Sequence, residues 1–240
     1  PSNERLKYLT EFSGSAGQAL FLKKKAFLFV DGRYILQAQK EINKDLKVVP
    51  IHKIKPSEIL RKNKQKLNIG FDPKLYSTAI LINLFKTKNV KLIPIIENLI
   101  DKIWSDKPKP KFNKFFILKT KYVGQDYKHK INLVCNILKK KRLKNLLITA
   151  PENIAWLLNI RGKDNSFSPI PNCNAILNYK KKIILIVDNK KISKNFKSRF
   201  GKIIKYVSPS NIVSYLNNLD NKQNFLIDKI TCSFFYKEKI

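Results

Sequence analysis

Apolar residues in this chain come in short blocks divided by polar turns, and the blocks alternate between two periods. Residues 19–21 and 26–30 are β-rich apolar runs on either side of Lys23, Lys24 and Lys25, which predicts a β-hairpin. Tyr34, Ile35, Ala38 and Ile42 then recur at helical spacing, so Arg33 falls where a strand passes into a helix. Residues 5–9 read as a short apolar strand and residues 12–17 as a loop of small residues. Further along, 46–49 reads as a strand, 57–64 as a helix behind Pro56, and 67–71 as a strand closed by Asp72 and Pro73. A helix at 77–86 and a strand at 90–95 complete this part, and the alternation predicts a layered α/β domain.

Residues 98–106 lead into Lys107-Pro108-Lys109-Pro110, where two prolines forbid a helix and favour an extended connector. The expected division is therefore a first domain over 1–106, a linker over 107–114 and a second domain over 115–240. The second domain opens on an apolar run at 115–118. A basic amphipathic helix comes next at 126–141, with Ile131, Val134, Cys135 and Leu138 on one face, then a strand at 146–149.

The two domains repeat one another. Glu4, Leu6, Tyr8, Leu9, Phe12 and Gly14 match Glu152, Ile154, Trp156, Leu157, Ile160 and Gly162 in kind at one constant offset. Beyond a longer loop, Ala19 finds Ala175, the lysine turn finds Lys180, Lys181 and Lys182, and the run ending at Asp31 finds the run ending at Asp188. Residues 224–228 correspond to 68–72, and a Ser-Pro pair starts a helix expected at 208–219. Such a repeat sets the architecture before any single element does. In the second copy a helix and a strand precede Glu152, whereas only three residues precede Glu4. In the first copy a helix and a strand follow Asp72, whereas a short tail follows Asp228. Each domain is thus expected to lack one helix and one strand, at opposite ends. The start at Pro1 and the absence of methionine fit a trimmed piece and leave a removed leader open.

Composition changes this picture little. A chain of 240 residues with 43% hydrophobic content can fill two cores. The formal charge of +32 suggests a nucleic-acid binder, but lysine far outnumbers arginine and the basic residues are spread over every helix and turn. Arginine makes the bidentate phosphate and base contacts that lysine cannot, so the charge reads as drift toward Lys and Asn on solvated faces. Cys135, Cys173 and Cys232 are widely spaced and form neither a disulfide framework nor a metal knuckle, which favours a reducing compartment. No apolar run approaches a membrane span and no signal-peptide pattern opens the chain. His52 and His129 are the only histidines, and neither lies in a cluster of metal-ligand spacing.

Four segments together carry a resemblance: Y-L-T-E-F-S-G-S-A-G at 8–17, F-V-D-G-R-Y-I-L-Q-A at 29–38, E-N-L-I-D-K-I-W at 97–104 and I-A-W-L-L-N-I-R-G-K-D at 154–164. In that order and spacing they resemble the N-terminal half of the Xaa-Pro aminopeptidases, most of all the three-domain cytosolic form. The resemblance implies an α/β fold of two tandem creatinase N-terminal-like (ribonuclease-H-like) domains, with mixed sheets flanked by helices. It implies a noncatalytic part that shapes and gates the substrate cleft and supports subunit association, with a homodimer and a cytoplasmic location. The family removes an N-terminal residue that precedes proline, acting on short peptides. Two divalent metal ions, commonly manganese, are held by a C-terminal pita-bread domain absent from these residues, so no cofactor and no activity are expected of this segment alone. The remaining readings are a basic nucleic-acid-binding module and the N-terminal part of a prolidase or creatinase relative.

One family residue carries over. Arg33 of D-G-R-Y is similar to the arginine that reaches the peptide substrate; the plainer reading is a surface turn arginine paired with Asp31. The second copy has Asn189-Lys190 there. Asn159, Arg161 and Asp164 could bond across an interface or simply close a loop, and Trp104 could anchor one domain against the other. Tyr8 and Trp156, at equivalent strand positions, are expected in the core. Residues 14–17 lack the Lys-Ser/Thr of a phosphate loop and the G-x-S-x-G order of a nucleophile elbow, so close packing of a turn explains their small side chains.

Overall fold

The computed structural model describes residues 3–165, 167–219 and 224–240. The chain divides into two compact units, residues 1–110 and 111–240.

Unit 1 runs α1 (Arg5–Thr10), β1 (Gly17–Leu22), β2 (Lys25–Val30), a 3-10 turn (Gly32–Tyr34), α2 (Ile35–Glu41), β3 (Leu46–Pro50), α3 (Pro56–Arg61), β4 (Leu67–Phe71), α4 (Thr78–Phe85), β5 (Val90–Pro94) and α5 (Leu99–Ile103). Strands β1 and β2 form the expected hairpin, with Leu22 opposite Lys25, and β3 pairs parallel to β2. Strands β4 and β5 pair parallel to each other in a separate sheet. The core under the hairpin is Phe12, Leu28, Val30 and Ala38, packed against half-buried Leu6, Tyr34 and Ile35. Asn98 and Ser77 cap α5 and α4, their side-chain oxygens accepting N–H groups of the first turn.

Unit 2 runs β6 (Phe116–Ile117), α6 (Thr120–Val123), α7 (Tyr127–Lys140), β7 (Asn145–Ile148), α8 (Pro151–Leu158), β8 (Ile160–Arg161), β9 (Asn174–Asn178), β10 (Ile183–Ile186), a 3-10 turn (Asn189–Lys191), α9 (Lys194–Phe200), β11 (Ile204–Val207), α10 (Ile212–Asn217), β12 (Phe225–Ile227) and α11 (Phe234–Lys237). Its main sheet is continuous, in the order β11-β10-β9-β7-β12, with parallel and antiparallel neighbours. Apolar side chains fill both faces. Ile154, Leu157, Leu158, Leu177 and Leu185 lie in one core, and Leu147, Ile176, Ile186 and Ile212 in the other. Burying each of these is worth about 1.5–3 kcal/mol relative to exposure.

The strand expected at residues 5–9 is a helix, as is its repeat. In α8 the fully buried residues are Ile154, Leu157 and Leu158, a spacing of one helical face. In α1, Thr10 is buried and donates from Oγ1 to the Leu6 carbonyl at 2.7 Å, one helical turn back. Both helices end on a left-handed residue at the same place in the repeat, Glu11 (φ 64) and Asn159 (φ 56). This also moves Tyr8 and Trp156 out of the core, to 38% and 48% exposure, because each lies on the outer side of its helix.

Candidate functional site

Strand β2 is the middle strand of its sheet and ends in buried Val30, so the Asp31–Tyr34 turn is held on a rigid edge. Asp31 caps the 3-10 turn. Its Oδ1 accepts the Arg33 backbone N–H at 3.1 Å and the Arg33 Nε–H at 2.8 Å. The Arg33 hydrogen bond, with that backbone N–H behind it, holds the Asp31 carboxyl below its ordinary range. The reciprocal bond raises Arg33. Only Nε is engaged. The two terminal amino groups carry no bond among the described residues, and the Arg33 side chain is 78% exposed.

The surroundings of this arginine are pinned. Tyr34 Oη and Ser15 Oγ are hydrogen-bonded at 2.7 Å, and the Tyr34 ring meets Phe12 edge-on at 5.9 Å. Ser13 donates its backbone N–H to Glu41 at 2.7 Å, a bond that is the main reason the Glu41 carboxyl is held low. These bonds tie the 12–17 loop to α2 beside the arginine turn. The small residues of the loop are required by packing: a Cβ on Gly14 would stand 2.1 Å from Cζ of buried Phe12. Gly32 faces His52, which would lie 3.4 Å from an added Cβ.

The second unit builds the same turn without the arginine. Asp188 caps it and accepts the Lys190 backbone N–H at 2.8 Å. The Lys190 ammonium lies 4.9 Å from the centre of the Phe112 ring. The next residue, at the place of Tyr34, is Lys191. It is buried and pairs with Asp164 Oδ2 at 2.8 Å.

The other candidates are each bonded inside their own unit. Asn159 is buried at the left-handed end of α8; its Oδ1 accepts from Lys130 Nζ at 2.7 Å and its Nδ2 donates to the Gln125 carbonyl at 2.8 Å. Arg161 donates to the Ala155 and Ile160 carbonyls at 3.1 and 2.8 Å, near the end of the same helix. Asp164 holds Lys191 and the Asn172 backbone N–H, while its buried Oδ1 has no partner among the described residues. Trp104 is 9% exposed and stacks on Tyr8 with ring centres 4.7 Å apart.

Two buried lysines were not legible in the sequence. Lys130 sits at 3% exposure, donating also to the Trp156 carbonyl at 3.0 Å, and burial pushes its ammonium down. Lys130 and Lys191 look like every other lysine of a lysine-rich chain. Only the apolar neighbours of Lys130 along α7, Tyr127 and Ile131, hint that its position faces inward.

Among the described residues no group of three or more His, Cys, Asp or Glu could hold a metal ion. His52 and His129 are both exposed. The three cysteines are free and buried, and burial pushes the Cys173 thiol up to about 12. Among the described residues no helix is long and apolar enough to cross a membrane.

Fold and repeat define the class, a tandem pair of α/β domains built on one plan. Family models of the creatinase/prolidase N-terminal domain match residues 1–103 and 106–240. The chain belongs to the creatinase/prolidase N-terminal domain family. It is 32% identical over 230 residues to a probable Xaa-Pro aminopeptidase P of Laccaria bicolor, across 90% of this chain and 35% of that protein. With Xaa-Pro aminopeptidase 1 of Dictyostelium discoideum it shares 31% identity over 235 residues, 92% of this chain and 37% of that protein. A crystal structure of X-prolyl aminopeptidase from Caenorhabditis elegans, a cytosolic enzyme with a di-nuclear active site, superposes with a TM-score of 0.83 at 25% identity. That match covers 90% of this chain and 37% of that one. The chain thus spans about a third of the length of the curated relatives it matches.

Proposed function

We propose that these two domains are the noncatalytic N-terminal part of a metal-dependent Xaa-Pro aminopeptidase. The observation that carries this is the match to Xaa-Pro aminopeptidases through both units at 30–32% identity. The chemistry, removal of an N-terminal residue preceding proline, belongs to a C-terminal domain that binds two divalent ions, manganese in the form expected. The present units wall the cleft so that only short peptides enter, support subunit association into a homodimer, and work in the cytoplasm.

Within that reading Arg33 is the substrate contact. Its bond to Asp31 uses Nε alone, which fixes the guanidinium plane and leaves both terminal amino groups facing solvent as a fork. Such a fork suits a peptide carboxylate or carbonyl, and its held orientation lowers the entropy lost on binding. The paired turn arginine of the plainer reading and the substrate contact are therefore compatible. Asn159, Arg161, Asp164 and Trp104 serve any interface indirectly, by fixing the surfaces around them.

Hydrolysis of a Xaa-Pro peptide with added manganese tests the division of labour. The 240-residue chain alone is expected to show no turnover, while the protein that joins it to a pita-bread domain is active. Turnover by the chain alone overturns the assignment.

A further inference from the structure

Asp31 holds the Arg33 side chain at one point, the 2.8 Å bond from Nε, and that side chain is 78% exposed. An exposed ion pair is weak on its own, because water competes for both partners. A guanidinium that must meet a ligand in one orientation therefore needs a second contact. The next residue supplies it: Arg33 Cζ lies 5.8 Å from the centre of the Tyr34 ring, within reach of a cation–π contact.

The Tyr34 ring is itself fixed at two places. It meets the ring of Phe12, which is 1% exposed, at an interplanar angle of 85°. Its hydroxyl shares a 2.7 Å hydrogen bond with Ser15 Oγ. The loop that carries Ser15 is anchored at Ser13, whose Oγ donates to Glu41 Oε1 at 2.8 Å and accepts from Gln37 Nε2 at 3.0 Å. Gln37 and Glu41 belong to α2, the helix that follows Tyr34, so loop, ring and helix close on one another.

The repeat shows that this link belongs to the shared plan. Gly14 matches Gly162, and just beyond each glycine the loop bonds to the residue that follows the turn cation. In unit 1 that bond joins Ser15 to Tyr34, and in unit 2 it joins Asp164 to Lys191 at 2.8 Å. The bonded residue of unit 2 is a buried ammonium, and the ring near Lys190 comes from Phe112 instead. In unit 1 the bonded residue is itself the aromatic plate beside the cation. We propose that Tyr34, its hydroxyl held by Ser15, is a positioning residue that keeps the Arg33 guanidinium in the orientation that meets the peptide. This role rests on the reading of Arg33 as the substrate contact.

Two measurements test it, one with substrate and one without. In the full-length enzyme, Tyr34→Leu is expected to lower kcat/KM for a Xaa-Pro peptide by about 5-fold. Tyr34→Phe and Ser15→Ala keep a ring beside the guanidinium and break only its hydroxyl bond, so each is expected to cost about 2-fold. Placed on Arg33→Ala, none of the three should cost anything further, because a positioning residue acts only through the group it holds. In the 240-residue chain, exchange of the Arg33 Nε–H with water, read by NMR, should quicken by about 2- to 5-fold in Tyr34→Leu. Unchanged exchange, unchanged kcat/KM in Tyr34→Leu, or equal losses with and without Arg33 would each overturn the proposal. Faster exchange in Tyr34→Leu beside unchanged kinetics for Arg33→Ala would overturn the substrate contact itself, and with it any part for Tyr34 in the reaction.

Discussion

Unit 1 and unit 2 share a plan down to their turns, yet among the described residues the strands of unit 2 form one main sheet and those of unit 1 form two. The shared turns are local. Asp31 and Asp188 each accept the N–H two residues on, and so do Asp72 and Asp228, toward Lys74 and Ile230. Such Asx turns depend only on a short carboxylate and its neighbours. Continuity of the sheet depends on a distant segment, β7, entering between two strands. Repeating a motif therefore preserves the turn that presents a side chain, whatever stands at its end. The arginine stands at the turn of unit 1, and unit 2 has a lysine at the same turn.

The largest expected effect of breaking this contrast is at the middle of the sheets. Leu147→Ala in unit 2 removes a side chain packed on all sides and should cost about 2–5 kcal/mol. Leu20→Ala, also buried but lining a groove of about 640 Å³ beside β1 and β4, should cost about 2 kcal/mol or less, because no new closed cavity forms. Urea unfolding of the two variants compares them directly, and equal losses would mean that the groove is not open.

Next come the paired glycines. A Cβ on Gly162 would lie 2.8 Å from the Ile170 carbonyl oxygen and the Pro171 Cα, backbone atoms that cannot step aside. At Gly14 the obstacle is the ring of buried Phe12, a side chain rather than backbone. Gly162→Ala is expected to cost about 1–3 kcal/mol and Gly14→Ala less, read from their thermal midpoints. The reverse order would show that the loop beside Arg33 is the tighter of the two.

The smallest effect depends on pH. Arg5 donates to Asp101 from Nε and Nη2 at 2.8 and 2.7 Å, joining α1 to α5 in unit 1. That bond, above all, holds the Asp101 carboxyl down to about 2. A depressed carboxyl contributes stability that is present above its unfolded pKa of about 3.9 and is lost as pH falls through its folded value. Acid should therefore loosen this contact between about pH 4 and pH 2. Because the pair is partly exposed, Arg5→Ala should cost only about 1 kcal/mol at neutral pH and remove that part of the acid dependence. Unchanged acid unfolding in the variant would assign the effect to other carboxylates.

Much of the fold is legible because most elements carry their own signal. The β1–β2 hairpin is marked by its lysine turn, α7 by its apolar face, and the connector by Pro108 and Pro110. Helix α1 is too short to show a period, and Leu6, Tyr8 and Leu9 read equally well as a strand. The buried triplet Ile154, Leu157 and Leu158 in its repeat holds the helical spacing that resolves the ambiguity. Helix α9 is hidden among basic residues, its core contacts made by Phe196 and Phe200 one turn apart behind the Ser193 cap. At the site, the position of Arg33 at a strand end is readable from D-G-R-Y alone. Its free fork is not, because that depends on which guanidinium nitrogen Asp31 engages. The internal bonding of Asn159 and Asp164 is likewise invisible, since their partners Lys130 and Lys191 are surface-type residues that the fold buries.

The central claim is that the arginine turn of unit 1 meets the substrate and the equivalent lysine turn of unit 2 does not. The most direct measurement is kcat/KM for a Xaa-Pro peptide in the full-length enzyme carrying Arg33→Ala or, separately, Lys190→Ala. Loss of a charge-assisted bond of about 1.5–3 kcal/mol should lower kcat/KM by about 10- to 100-fold in the first variant, with folding intact, and leave the second unchanged. Unchanged kinetics for Arg33→Ala, or equal losses in both, would contradict it.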